Sequence, residues 1–257
     1  FFLLLVDNGK DVTMSLYLTI ISIVLLAPFC LGSHFRGGIF TWIPTEQQLQ
    51  IQISYRLSWR RSYSSNHFCN SSHTSSDDLR PGEGSLICSR GCNGTVTELA
   101  YRCTDYSETE DWTTGTRTFL YNLTTPSPDI SLIFSSCCWI NLQVKGGSTW
   151  SMKATASVHG REDTGRINSS PVTSIQPIVR VQYGCNATIN LLVSDPDGDT
   201  VKCRWSNGSD ECGSMCSSFP GAFLNEDVCT ISYQATTNVG YYGVAIQVED
   251  YPKTGGN

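Results

Sequence analysis

The sequence is poor in the residues and motifs on which catalysis most often rests. It has only four histidines, His34, His67, His73 and His159, each in a polar stretch without an obvious partner. No G-x-S-x-G elbow, no HExxH pair and no phosphate-cradling glycine loop occurs, so no residue is singled out as catalytic. The four histidines are expected on the solvated surface. Charge is sparse as well, at 16% of residues, against about a quarter in an average globular protein. No segment of useful length repeats its apolar residues at helical spacing between caps, which leaves strands to build the fold. The 40% hydrophobic content is that of a folded chain and does not indicate disorder.

The strongest apolar run is Leu16 to Leu31, LYLTIISIVLLAPFCL, followed by small residues and then by polar sequence. It is shorter than the roughly 18–20 residues that span hydrocarbon, so it reads as a cleavable secretory signal rather than an anchor. Cys30 and Gly32 occupy the positions three and one before a cut preceding Ser33. Met14 opens this profile more naturally than Phe1, and residues 1–13 read as upstream sequence. Removal of residues 1–32 takes away Asp7, Asp11 and Lys10, which changes the net charge from −6 to −5. A mildly acidic surface repels phosphate backbones, so no nucleic-acid partner is expected.

Cysteine and asparagine usage agrees with export. Twelve cysteines are present, and Cys30 lies within the signal. The spacings of the rest fit no zinc template, and disulfides are the expectation in an oxidising compartment. Three bridges are expected among Cys69, Cys88, Cys92, Cys103, Cys137 and Cys138, and two among Cys203, Cys212, Cys216 and Cys229, with Cys185 as the odd thiol. The vicinal Cys137 and Cys138 are expected to point to opposite faces of a strand and to bond different partners. Six asparagines lie in glycan acceptor sequons: Asn70, Asn93, Asn122, Asn168, Asn186 and Asn207.

Period-2 alternation is clearest over Leu49 to Trp59, where every second residue is apolar. Similar patterns occur at Trp150 to Val158, Ala187 to Val193, Cys229 to Ala235 and Tyr242 to Val248. Alternating strands with short turns imply antiparallel sheets whose apolar faces must cover one another. The fold class is therefore all-β, with two antiparallel β-sandwich domains of immunoglobulin or cadherin-like type stapled by disulfides. The polar stretch His159 to Pro177 separates a first domain at 33–168 from a second at 169–257, after an upstream segment and signal at 1–32. Phe68 to Thr97, short of apolar residues, reads as a long disulfide-held loop.

Two constellations admit a sharper reading. Tyr101-Arg102-Cys103 has the Tyr-x-Cys spacing of the tyrosine corner in immunoglobulin folds. The DPDGD run, Asp195 to Asp199, offers Asp195, Asp197 and Asp199 as hard oxygen ligands for calcium, with Glu249 and Asp250 to close the shell. The competing reading is a turn in which Pro196 sets φ and Gly198 supplies a positive φ, and this is preferred. No other cofactor is expected.

The stretch LLVSDPDGDTVKCRW and the strand GYYGVAIQVED resemble cadherin-like and dystroglycan-type β-sandwich modules. With SHFRGGIFTW, YRCTDYSETEDWTTG and DTGRINSSPV, the chain is also similar to uncharacterised animal ectodomains that stand at the N-terminus of longer secreted or membrane-attached proteins. The resemblance implies location and architecture, secreted or on the extracellular face of the plasma membrane. A secreted enzyme with an unrecognised site and a structural extracellular-matrix spacer are the alternatives; with no catalytic motif in the chain, the leading expectation is a non-enzymatic recognition or adhesion module. Its partner would be an extracellular protein or glycan, and contact with membrane would come only through a C-terminal anchor beyond Asn257.

Overall fold

A computed structural model describes residues 1–7, 34–123, 129–145 and 149–253. The apolar run Leu16–Leu31, Met14 and the cut before Ser33 fall outside these residues. The strands are β1 (Phe2–Asp7), β2 (Phe35–Pro44), β3 (Gln50–Arg60), β4 (Leu79–Arg90), β5 (Gly94–Ser107), β6 (Trp112–Asn122), β7 (Asp129–Ser136) and β8 (Trp150–Ser157), followed by β9 (Val172–Ser174) and β10 (Ile178–Gln182). Then come β11 (Asn186–Asn190), β12 (Leu192–Ser194), β13 (Thr200–Trp205), β14 (Ala222–Asn225), β15 (Thr230–Gln234), β16 (Gly240–Val244) and β17 (Ile246–Tyr251). Two single-turn helices, α1 (Ser71–Thr74) and α2 (Ser209–Cys212), interrupt them. The protein is all-β, with sandwich-like packing of disulfide-linked sheets.

Strands β2 to β8 form one antiparallel sheet in the order β2-β3-β6-β5-β4-β7-β8. Alternation in β3 sends Ile51, Ile53, Tyr55, Leu57 and Trp59 to the core. Leu49 does not join them; it precedes the strand with φ +58° and is partly exposed. The sheet curls until its edge strands approach, and Trp42 Nε1 of β2 donates to the Thr155 carbonyl of β8 at 3.2 Å. Inside lies an aromatic stack: Phe35 lies parallel to Trp150 at 3.9 Å and meets the edges of Trp59 and Trp139. Such contacts add roughly 0.5–1.5 kcal/mol per pair beyond the area buried.

The region Phe68–Thr97 corrects the expectation of a long loop. It holds α1, all of β4 and the start of β5. Its few apolar side chains misled the pattern reading, because β4 is held by backbone pairing to β5 on one side and β7 on the other.

The second core is built by β10 to β17 and by β1. β1 runs parallel to β10 and antiparallel to β16, with Leu3, Leu4 and Val6 fully buried. Within residues 1–13, which read from sequence as an upstream segment, Phe2–Asp7 form the middle strand of a three-stranded sheet. Leu3 packs into the first core, and Leu4 and Val6 into the second, with Val181, Tyr242 and Val244.

Gly115, in the interior strand β6, permits close approach of β5. A Cβ there would stand 2.2 Å from the Tyr101 ring and 2.4 Å from the Arg102 carbonyl, a backbone atom that cannot swing away. Gly115→Ala is therefore expected to destabilise the protein by about 3 kcal/mol. Denaturant titration of the purified chain checks this; an unchanged midpoint would show that β5 and β6 can part without penalty.

Candidate functional site

Of the four histidines expected on the solvated surface, His159 is exposed and His73 half-buried, but two are not solvated. His34 and His67 are 2% and 1% exposed, brought together because β2 starts beside the loop that follows β3. His34 lies parallel to the Tyr63 ring at 4.1 Å and to that of Trp59 at 5.6 Å. Both imidazoles face one carboxylate: His34 Nε2 lies 2.5 Å from Glu83 Oε2, and His67 Nε2 3.8 Å from Glu83 Oε1. Glu83 reaches them from the stretch where β4 slips register against β5, between Pro81 and Ser85. No local pattern marks this meeting, since His34, His67 and Glu83 come from three separate segments.

Burial sets the protonation states. It pushes the His67 imidazole down to about 4, helped by the positive charges of His34 and Arg80. His34 is lowered too by burial, against the opposing pull of Glu83. Near neutral pH both rings are therefore uncharged. Ser64 Oγ lies 2.9 Å from His67 Nδ1, so a hydroxyl, an imidazole and a carboxylate follow in series. Hydrolase triads use those three groups, yet here Ser64 and His67 belong to one tight turn closed by His67 N–H to the Ser64 carbonyl at 3.1 Å. Cavities of about 460 Å³ and about 380 Å³ lie elsewhere, lined by other residues. The cluster ties the turn to the aromatic core. Tyr101, fully buried, adds to the tie: its hydroxyl reaches the Asn66 carbonyl at 3.5 Å, while Cys103 two residues on bonds Cys69.

The DPDGD segment folds as a turn. The Asp195 carbonyl accepts from Gly198 N–H at 3.2 Å, Pro196 is its second residue, and Gly198 has φ +78°. Asp195 Oδ1 accepts from the amides of Asp197 and Asp199, at 2.8 and 3.0 Å. Asp197 Oδ2 accepts from Ser169 N–H at 2.6 Å. Asp199 faces the Arg161 guanidinium, which also binds Asp163 and donates to Asn168 Oδ1 at 2.7 Å. Asn168 Nδ2 donates in turn to Asp250, whose carboxyl is raised by burial and by the charges of Asp195 and Asp199. Four of the five candidate calcium ligands thus converge on one junction. Glu249 points away, pairing with Arg204 at 2.8 Å and accepting from the Tyr251 hydroxyl. Among the described residues no group of three or more His, Cys, Asp or Glu is arranged to hold a metal ion.

The cysteines pair as Cys69–Cys103, Cys88–Cys92, Cys137–Cys138, Cys203–Cys229 and Cys212–Cys216, and Cys185 is a free, exposed thiol. Cys137 and Cys138 bond each other, contrary to expectation, because they follow the end of β7 and strand alternation does not separate them. Of the sequon asparagines, Asn93, Asn122, Asn186 and Asn207 are exposed. Asn70 is half-buried and caps α1 through its side-chain oxygen, whereas Asn168 has its amide nitrogen engaged by Asp250.

Two measurements follow from these clusters. Between pH 6.5 and about 4 the unfolded chain binds a proton on His67 that the folded chain refuses. Stability should fall as pH drops through that window, by on the order of 3 kcal/mol from this residue. Urea titrations at about pH 7 and pH 4.5 should show a smaller acid loss in His67→Gln than in wild type; equal losses would remove the buried imidazole from the account. Arg161→Leu leaves the largely buried Asp199 carboxylate without its cation and should cost roughly 2–3 kcal/mol. A midpoint within error of wild type would show that water replaces the guanidinium freely.

Comparison with known proteins adds what geometry cannot. Residues 36–159 match the family model "Integrin beta-like protein A-E, N-terminal". The chain is 24% identical over 247 residues to Integrin beta-like protein A of Dictyostelium discoideum, covering 92% of this chain and 12% of that protein. It is 25% identical over 189 residues to Integrin beta-like protein C of the same organism, covering 70% of this chain and 9% of the relative. The chain thus spans about a tenth of the length of the curated relatives it matches. No solved structure matches it. These relatives, rather than animal ectodomains, take the place of the family resemblance drawn from sequence motifs. Over the residues that form its first core, the chain is similar to the N-terminal part of the integrin beta-like proteins A-E.

Proposed function

We propose that the chain is a non-enzymatic adhesion or recognition module of a longer protein, exported and displayed outside the cell, where it binds an extracellular protein or glycan. The observation that carries this reading is the similarity of residues 36–159 to the N-terminal part of proteins named integrin beta-like. The five disulfides support it, since such bridges persist in oxidising compartments. So do the four exposed sequon asparagines, which would carry glycans on an exported chain. Among the described residues no helix is long and apolar enough to cross a membrane.

The test is adhesion. The full chain, secreted by a eukaryotic host and coated on a surface, should retain cells of its source organism saturably, and lose them when its disulfides are reduced. Cells that settle equally on an unrelated glycoprotein would refute the module. Labelling of Ser64 by a serine-hydrolase probe, absent in Ser64→Ala, would favour an enzyme instead.

The acidic turn serves this module as a joint rather than as a calcium site. Asp199 already has a cation in Arg161, and two amides occupy Asp195 Oδ1. The melting temperature of the full chain should therefore be equal in calcium and in chelator. A calcium-dependent rise lost in Asp197→Asn would assign the turn to the ion.

A further inference from the structure

The outer face of the first sheet carries a polar pocket that neither the histidine cluster nor the acidic turn uses. Because Tyr55, Leu57 and Trp59 of β3 point into the core, Arg56 between them points out. On β6 the inward residue is Thr113, which turns its neighbours Trp112 and Thr114 to the same outer face, opposite Arg60 and Ser58 in the ladder. The stretch Ser174–Ile178, which ends β9 and opens β10, crosses this face, and its Ile175 carbonyl accepts from Arg56 Nη2. Between the sheet and the crossing stretch lies the cavity of about 380 Å³. Its size is within the range of about 300–1,000 Å³ typical of small-ligand sites.

We infer that this cavity binds one pyranose ring of an uncharged glycan, with the Trp112 indole against the C–H face of the sugar and Arg56 and Asp105 on its hydroxyls. This rests on the recognition reading proposed above and narrows it to one class of ligand.

Charge selects the occupant. Arg56 is half-buried, and among the described residues only its Nη2 has an acceptor, while Nε and Nη1 have none and no carboxylate lies within ion-pair distance. Burial lowers its pKa, as expected of a guanidinium short of counter-charge. The Asp105 carboxylate lines the same cavity, is exposed, and accepts only from the Tyr106 N–H, at 2.8 Å. An anionic ligand would therefore meet Asp105, and a cationic one Arg56, each a like charge. A hydroxyl suits both, since its oxygen accepts from the guanidinium and its proton is donated to the carboxylate.

The remaining walls complete a sugar site. Trp112 is half-buried, and its Nε1 donates to Glu110 Oε2 at 2.8 Å, while Glu110 Oε1 accepts from Arg180 Nε at 3.0 Å. The indole is thus held in position before a ligand arrives, which lowers the ordering cost of binding. Ile175, Pro177 and Ile178 add apolar surface. The side chains of Ser174 and Gln176, exposed and without hydrogen bonds among the described residues, add donors and acceptors at the rim. A pyranose is divided in the same way, with C–H groups on a face and hydroxyls around its edge. A peptide finds no seat on this sheet, because β3, β5 and β6 are interior strands paired on both sides and offer no edge for strand addition.

The experiment passes the full chain, secreted by a eukaryotic host, over beads densely coated with glucose, galactose, mannose, fucose or N-acetylglucosamine, so that multivalency raises weak binding into view. A further bead carries sialic acid. At least one neutral sugar should retain the chain, release it to the same free sugar, and hold it equally in about 0.5 M salt, which screens exposed charge pairs. Asp105→Ala removes a carboxylate whose one hydrogen bond is to the neighbouring amide, so it should melt with wild type. Its retention should nevertheless fall at least about tenfold, the effect of one lost hydrogen bond to a charged group. Trp112→Leu should fall as far. A folded chain that no neutral bead retains, or an Asp105→Ala chain retained as well as wild type, would overturn the site. Capture confined to the sialic-acid bead and abolished by salt would also overturn it, by making the occupant an anion. If no bead retains the chain yet cells still settle on it, the cavity fails and the adhesion reading stands; sugar-dependent retention without settling of cells leaves the cavity and removes adhesion.

Discussion

The curled first sheet depends on covering the aromatic residues on its concave side. Phe35, Trp59, Trp139 and Trp150 are all fully buried, and each comes from a different segment. Side chains of this size bury roughly 150–250 Å² apiece, the largest single contributions to any core. To bring them into contact the sheet must bend until β2 and β8 meet, with Trp139 carried in on the segment after β7 that bridges to Phe35. The buried histidines follow from the same constraint. His34 is adjacent in sequence to Phe35 and is drawn inside with it, where the Glu83 carboxylate is the polar partner of its Nε2.

The two cores are joined by contacts at several places. At one end the Arg161, Asn168 and Ser169 segment grips the DPDGD turn and Asp250. At the other, β1 contributes side chains to both cores, and Phe1 bonds to β2. Arg204 adds a third tie within the second unit, bridging Glu211 of α2 and Glu249 of β17. Burial of charge at these points is matched by a partner in each case, which favours one relative arrangement over many.

Much of the fold was legible because alternation is a direct readout of one-sided burial. The β3 and β8 patterns mapped onto strands within a residue or two, and the long Ala187–Val193 and Tyr242–Val248 patterns correspond to strand pairs broken at Leu191 and Ala245. What was not legible is what backbone pairing decides without side-chain help. β4 has a polar, glycine-containing sequence and yet sits between two neighbours. The same limit applies to the His34, His67 and Glu83 cluster, whose members are distant in sequence and meet only when the sheet curls. For the acidic turn, sequence supplied the carboxylates, but Arg161, 38 residues from Asp199, could not be assigned to them by spacing. β1 was not legible for a different reason: its two faces meet different cores, so its apolar residues show no period-2 alternation.

The placement of the long disulfides has a mechanical consequence. Cys69–Cys103 and Cys203–Cys229 close loops with sequence separations of 34 and 26, one in each unit. Under a pulling force the chain inside a closed loop cannot pay out. At about 3.4 Å per extended residue, these two bridges withhold roughly 200 Å of contour length from the stretched molecule. A tether built of such units yields in short steps, keeps its tension, and returns to the folded state from a chain that never became fully slack.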